Sequence, residues 1–566
     1  MNPLNHYSFE AVPTIFDEEA LTVLELCARL ASKVNELIKG HNDQDELIKA
    51  LYDSELTKQV SAWLEAHPEV TTTVQDGELT LAKFVMGEVG FITPQLFGAV
   101  GDGFTDDTAS ILSAVALLGD KVPALYFPPG TYMVSQDIML PGNVTVFGAG
   151  RSSIIKKVGT NSPHYTMMGA SEAENIVIKD LRFIGDRDYH DGTTGEWGHV
   201  LAFAGCHNVT IQDCAITNGW GDGIYIGYLN GECKNFTIDH CLIDNNRRNG
   251  VSVIACDGFH LNNSTITNTN GTAPEAGIDF EPNKTGEVIR NCYIDNCHFE
   301  GNANYDVCYY DNTEPEFTVT NTKLLSRYGF YSSGGVIDAQ RTGKGICFKH
   351  CHFDNAKNCV NLPRKSTLAV PIRFRDCDFY SDNVCIQFGG SDLGFEQDMG
   401  AVHFEGCYVG RNLVGTPFFR FQNAVTSGKL LDVVADFTFD KSVPARLYLT
   451  NSYSEVKLTT KGAPRFDTWS RVDINGVNCW TDIGVYASGG TIDVVLYHSI
   501  PIGCPIKITK ADSNGAINIS LNSGSISNIL SNGAFTNAFT LNRRGATAIL
   551  THMGGDVWTL DKTYTE

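Results

Sequence analysis

Three short runs of alternating apolar and polar residues set the pattern of this chain. Gly223–Ile226, Gly250–Val253 and Gly277–Phe280 begin 27 residues apart, and each follows a polar loop. Alternation with a period of two predicts strands in which Ile224, Ile226, Val251, Val253, Ile278 and Phe280 share one face. Tyr225, Ser252, Asp279 and Glu281 take the other face, beside loops that carry Asp222, Arg247, Arg248 and Glu275. Equal spacing marks the same point on successive turns of a coil, so residues distant in the chain become neighbours.

The same period runs further. NIVIKDLRF, NVTIQDCAI, NFTIDHCLI, NCYIDNCHF, GICFKHCHF, PIRFRDCDF and AVHFEGCYV repeat one phrase, and GFHLNNSTI and EFTVTNTKL vary it. Its small or thiol position falls at Leu181, Cys214, Cys241, Ser264, Cys297, Thr322, Cys351, Cys377 and Cys407, at intervals of 23 to 33 residues. Repeats of this length, one strand-rich turn each, predict a parallel β-solenoid with a continuous core. The thiols then form a buried column of small hydrophobes. Neither a disulfide framework nor a zinc site fits a chain of 566 residues without CxxC or Cys/His spacing.

The flanks read differently. Val23, Cys27, Leu30, Val34 and Leu37 follow a 4-3-4-3 spacing, the seam of a coiled coil, with a helical hairpin packed on its own chain as the alternative. A Thr-rich connector, His67 to Phe84, follows. Beyond Phe466 the chain turns rich in Gly, Ser, Asn and Thr with short β-patterned runs, which predicts a domain of hairpins. The expected divisions are 1–90, a helical attachment segment with its linker; 91–460, the solenoid with a capping helix; and 461–566, a β-rich module.

Charge narrows the function. A formal net charge of -23 excludes a phosphate-tracking nucleic-acid binder, which needs a basic stripe. An acidic ligand would have to be met by local arginines. The apolar runs are too short to span a membrane, and the start of the chain has no basic and apolar pattern of a signal peptide.

Candidate chemistry gathers on the polar face of the three runs. With strands about 4.8 Å apart, Asp222 and Asp279, expected at nearly equivalent places two rungs apart, have backbones roughly 10 Å apart. Asp279 and Glu281 lie on one face of one strand, about 7 Å apart. Both separations suit the paired carboxylates of glycoside hydrolysis, where one acid protonates the leaving oxygen and the other activates water or attacks carbon. Burial or a like-charged neighbour would raise the pKa of one of them. Arg247 and Arg248, from the rung between, could hold an anionic substituent or orient a carboxylate. Tyr225 and Trp220 offer flat faces to a sugar ring, and Asn249 and Glu275 complete the expected substrate-binding set. No cage of oxygen ligands forms, so no metal and no cofactor is expected. The competing reading is structural: GDG and RRNG are also turn sequences, and the arginines could join a surface ion network of little worth. His190, His199 and Asp188 lie in the excursion GDRDYHDGTTGEWGHV, expected to overhang the same face one rung earlier.

Upstream, FGAVGDGFTDDTASILSAVALL is followed by ALYFPPGTYMVS. Gly98, Gly101 and Gly103 supply turns, and Asp106 or Asp107 N-caps the helix that follows. These phrases resemble the entry of the pectate-lyase-like right-handed β-helix superfamily, in which the helix covers the open end of the coil. The GDGI, NRRNGVSV and GTAPEAGIDFEPN phrases resemble a block of phage-borne and bacterial β-helix proteins thought to cut polysaccharide. The chain lacks the tandem aspartates of the polygalacturonase type, having Gly221-Asp222-Gly223 instead. RRGATAILTHMGGDVWTL resembles the end of many phage tail fibres. Together these resemblances imply an all-β, right-handed parallel β-helix with an N-terminal coiled coil and a C-terminal trimerisation domain. They imply a homotrimeric tailspike in the virion, joined to other tail or neck proteins by its N-terminal segment. Its work would be to bind and depolymerise a host cell-surface glycan, a capsule or wall teichoic acid. Asp222, Asp279 and Glu281 would act in hydrolysis, with a lyase or a non-enzymatic receptor-binding spike as alternatives.

Overall fold

Ile224, Val251, Ile278, Val307, Phe330, Val360 and Ile386 pair in register along one parallel ladder, and all are sealed from solvent. The computed structural model describes residues 122–284 without a break and most of 90–566 otherwise, the longest interruptions being 333–343 and 389–398. Residues 1–89, and with them the expected coiled coil and connector, lie outside the described residues.

Two further ladders complete each turn. One runs through Glu174–Lys179, His207–Gln212, Cys233–Asp239, Cys256–Asn262 and Ile289–Asp295. The other runs through the short strands Arg182–Ile184, Ala215–Thr217, Leu242–Asp244, Thr265–Thr267 and His298–Glu300. The site-bearing ladder contains β1 (Trp197–Ala204), β2 (Ile224–Gly227), β3 (Asn249–Val253), β4 (Ala276–Phe280), β5 (Tyr305–Tyr309) and β6 (Tyr328–Ser332). Every strand named here pairs in parallel with its counterpart one turn away, which makes the body a three-sided parallel β-helix. Like residues stack inside it: Phe348, Phe374 and Phe404 lie ring on ring at 5.1 and 4.7 Å.

Two corners explain the repeated phrase. At the first, a residue with left-handed φ (Asp213 52°, His240 51°, Asn263 49°, Asn296 51°, Asn321 51°) turns the chain, a conformation Asn and Asp tolerate best among non-glycine residues. The next side chain then donates to the carbonyl two residues back: Cys214 to Gln212 at 3.2 Å, Cys241 to Asp239 at 3.3 Å, Ser264 to Asn262 at 2.6 Å, Cys297 to Asp295 at 3.3 Å, Thr322 to Thr320 at 2.8 Å. Thiol and hydroxyl are interchangeable there because each is a small buried donor. The described cysteines are all free.

The second corner precedes the site strands and, where glycine occupies it, has no room for a side chain. A Cβ on Gly250 would lie 2.5 Å from the Gly277 carbonyl oxygen, and one on Gly277 2.5 Å from the Phe299 ring. In β5 the register gives this position to Asp306, which is fully buried and accepts from the Ser326 N–H at 2.9 Å and from Asn302 Nδ2 at 3.2 Å.

The N-terminal turn carries α1 (Thr108–Val115), which buries Ile111, Ala114 and Val115. Its two preceding aspartates divide the work. Asp106 accepts from the Thr108 N–H at 3.0 Å, whereas Asp107, in the N-cap position, closes the glycine turns by accepting from Val100 N–H at 2.6 Å and Gly101 N–H at 3.1 Å. At the other end, parallel pairing continues past 460 through Arg465–Thr468 and Ile483–Ala487. Antiparallel pairing begins with Pro505–Lys510 against Thr547–Gly554, and Thr547–Gly554 pairs in turn with Val557–Tyr564, burying Trp558. Among the described residues no helix is long and apolar enough to cross a membrane.

Candidate functional site

The parallel register sorts the outward residues of β1–β6 and their leading loops into two adjacent columns. His199, Asp222, Asn249, Ala276, Tyr305 and Tyr328 form the first; Ala202, Tyr225, Ser252, Asp279, Cys308 and Tyr331 form the second. Asp222 and Asp279 are therefore not equivalent positions, contrary to the expectation from their spacing, because Asp222 precedes its strand by two residues and Asp279 lies inside its own. They approach diagonally through Asn249. Its backbone N–H donates to Asp222 at 3.1 Å, and its Nδ2 donates to Asp279 at 3.3 Å and to Ser252 Oγ at 2.9 Å.

Arg248 is the hub. Its Nη1 lies 3.4 Å from both Asp222 oxygens and 3.3 Å from Ser252 Oγ, and its Nη2 donates to Glu281 at 3.0 Å. Its Nε is 3.5 Å from Glu196 Oε2 but makes no hydrogen bond. Burial opposes the guanidinium charge, yet Asp222, Glu281 and Asp279 outweigh it and hold the pKa above its usual value.

The remaining groups are tuned by the same surroundings. Burial raises the Asp222 pKa despite Arg248. Burial, and then the charge of Glu281, push Asp279 up to about 7, while the Cys308 thiol, donating to its Oδ1 at 3.1 Å, pulls the other way. His199 is lowered to about 3 by burial and then by the charges of Arg248 and His164, so its imidazole is neutral. Its Nδ1 accepts from the Asp222 N–H at 3.3 Å, and its ring stacks on Tyr225 at 4.6 Å. Burial also pushes the half-buried Tyr225 up to about 12.

Exposure separates the carboxylates. The side chain of Glu281 is 28% exposed and that of Glu196 45%, whereas Asp222 and Asp279 are at 0%. Asp222 and Asp279, expected to meet a sugar, instead lie beneath the surface and support Arg248 and Asn249. Trp220, expected to offer a flat face, is only 7% exposed, with His190 stacked on it at 3.9 Å and the Arg247 guanidinium over it at 4.0 Å. Arg247 also donates to the Gly195 carbonyl at 2.6 Å, so both residues brace the loop before β1. Glu275 accepts from Gly271 N–H at 2.8 Å and from Asn304 Nδ2 at 2.9 Å, within and beside its own loop. His190 is held by buried Asp186 at 2.8 Å, and Asp188 accepts from Asn218.

Glu196 was not legible as a site residue. It sits in the excursion expected to overhang this face, but only the pairing of β1 with β2 brings it to Arg248. Among the described residues no group of side chains fits a metal ion.

Residues 95–301 match the family described as rhamnogalacturonase A/epimerase, pectate lyase-like. The stretch that carries the candidate site thus has the pectate-lyase-like signature, and the described residues around it form a parallel β-helix. The uncharacterized protein YclG of Bacillus subtilis is 29% identical over 263 residues, covering 40% of this chain and 44% of that protein. The pre-neck appendage protein of Bacillus phage phi29 is 30% identical over 219 residues, 36% of this chain and 24% of that protein. The match thus spans less than half the length of either relative. Among solved structures, the Dettilon tailspike protein shares the fold with a TM-score of 0.52 at 13% identity, over 87% of this chain and 83% of that one.

Proposed function

We propose that this chain is a homotrimeric phage tail appendage that binds a host cell-surface polysaccharide, a capsule or wall teichoic acid, and cuts it by glycoside hydrolysis. The observation that carries the reading is Arg248: one guanidinium lies against two surface carboxylates, Glu281 and Glu196, and is anchored from beneath by Asp222. Glu281 and Glu196 are the catalytic pair, one protonating the leaving oxygen and the other activating water. Asp222, Asp279 and Asn249 act through Arg248 as positioning residues, and Tyr225 lines the site beside them. The kinship with a pre-neck appendage protein supports the virion setting, with the N-terminal segment joining other tail or neck proteins and the C-terminal hairpins holding three chains together.

A lyase would need a cation for the carboxylate of a uronate, and Arg248 is already paired with Asp222, Glu281 and Glu196. Binding without cutting is the second reading, favoured by the complete burial of Asp222 and Asp279. Incubation of the full chain with purified capsule and wall polymer, followed by mass analysis, tests all three. Hydrolytic fragments that disappear with Glu281→Gln support the proposal; unsaturated ends indicate a lyase; retention of uncut polymer indicates a receptor-binding spike.

A further inference from the structure

The two outward columns do not end at the carboxylates. One and two rungs beyond Asp279 they carry Tyr305, Tyr328 and Tyr331, with Tyr310 directly after β5. The Tyr305 and Tyr331 rings stack at 4.4 Å, Tyr305 and Tyr328 lie 5.4 Å apart, and Tyr310 and Tyr331 lie 5.4 Å apart. All four remain partly exposed. A buried aromatic cluster would belong to the core, but these rings stand on the outward face while Val307, Tyr309 and Phe330 fill the core beneath them.

We infer that this tyrosine cluster is a sugar-binding platform, the subsite for the pyranose units next to the one held at Glu281. It rests on the proposed action on polysaccharide and adds where the polymer lies. The exposed parts of the rings supply apolar area for the CH face of a pyranose. Position supports this occupant: Tyr305 follows Ala276 by one rung in the first column, and Tyr331 follows Asp279 by two in the second. At about 4.8 Å per rung, the platform begins roughly 5 Å from the carboxylate rung and extends to roughly 10 Å. A polymer running along the coil axis would cover both. The platform binds neutral ring surface, whereas the Arg248 cluster handles the reacting bond, so the two contributions separate experimentally.

The test uses the full chain on an array of purified bacterial surface polysaccharides, comparing the unaltered protein with Tyr331→Ala, Tyr328→Ala, Tyr331→Phe and Glu281→Gln. The expected result is a polysaccharide retained by the unaltered protein and by Tyr331→Phe, with affinity lowered about tenfold or more by each alanine variant, whereas Glu281→Gln loses cutting. Equal binding by the alanine variants would overturn the platform while leaving the proposed function standing. Binding to no polysaccharide would overturn both. Should an alanine variant fail to fold, tyrosine nitration of the unaltered protein with and without the retained polysaccharide replaces it. Protection of Tyr328 and Tyr331 is expected, and equal nitration in both states would overturn the inference.

Discussion

Asp222 lies one rung from Arg248, both of its carboxylate oxygens 3.4 Å from Nη1, and it has no solvent-exposed surface. Such a pair contributes little over an apolar substitute, but removing one partner leaves the other as an uncompensated buried charge. Asp222→Ala is therefore expected to cost about 3 kcal/mol, the lower end of that range because Glu281 still holds Arg248. Urea denaturation of the single variant, and of Asp222→Asn combined with Arg248→Gln, checks this. The double variant should recover part of the loss, and a cost below about 1 kcal/mol for Asp222→Ala would reduce the cluster to a surface ion network.

The exposed carboxylates should dominate turnover. Glu281→Gln and Glu196→Gln are each expected to slow fragment release by about 10²–10⁴, the usual contribution of a positioned acid or base. Reducing-end assays on the polymer that the unaltered protein cuts would measure it. A Glu196→Gln variant with full activity would remove Glu196 from the catalytic pair.

Asp306 gives a pH signature of stability. Burial pushes it up to about 7, while its hydrogen bonds to Ser326 and Asn302 only partly offset this. A carboxyl raised on folding stabilises the protein fully below the unfolded value of about 4, and this contribution is lost as the pH rises through about 7. The amount at stake is on the order of 4 kcal/mol. Asp306→Asn should flatten the fall in stability between pH 4 and 8, as read from denaturation midpoints; an unchanged pH profile would show that Asp306 is ionised throughout.

Two glycines make a contrasting pair. Gly250→Ala forces a Cβ to within 2.6 Å of both the Gly277 carbonyl oxygen and Ile266, and overpacking of this kind typically costs about 1–3 kcal/mol. Gly231→Ala meets nothing within 4 Å, so its effect should stay within about 0.5 kcal/mol. Thermal melts of the two variants side by side would decide; equal melting points would mean that the corner can open.

Most of the scaffold was legible in the sequence because its determinants are local and repeated. The period-two apolar pattern defined the inward faces of β2–β4, and the repeated phrase predicted the column of small buried residues, whose place at a corner after a left-handed residue emerged only in the structure. Spacing alone could say that Asp222, Arg248 and Asp279 would be neighbours, since any coil of constant period makes them so. It could not say how deep each would lie. That depends on register within a fraction of a turn and on what the next rung lays over the strand: Cys308 and Asn249 close over Asp279, His190 and Arg247 sandwich Trp220, and the pairing of β1 with β2 brings Glu196 to the guanidinium. Periodicity is a property of the chain and was read from it directly. Exposure and charge balance are properties of side chains meeting across rungs, and only the tertiary structure decided them.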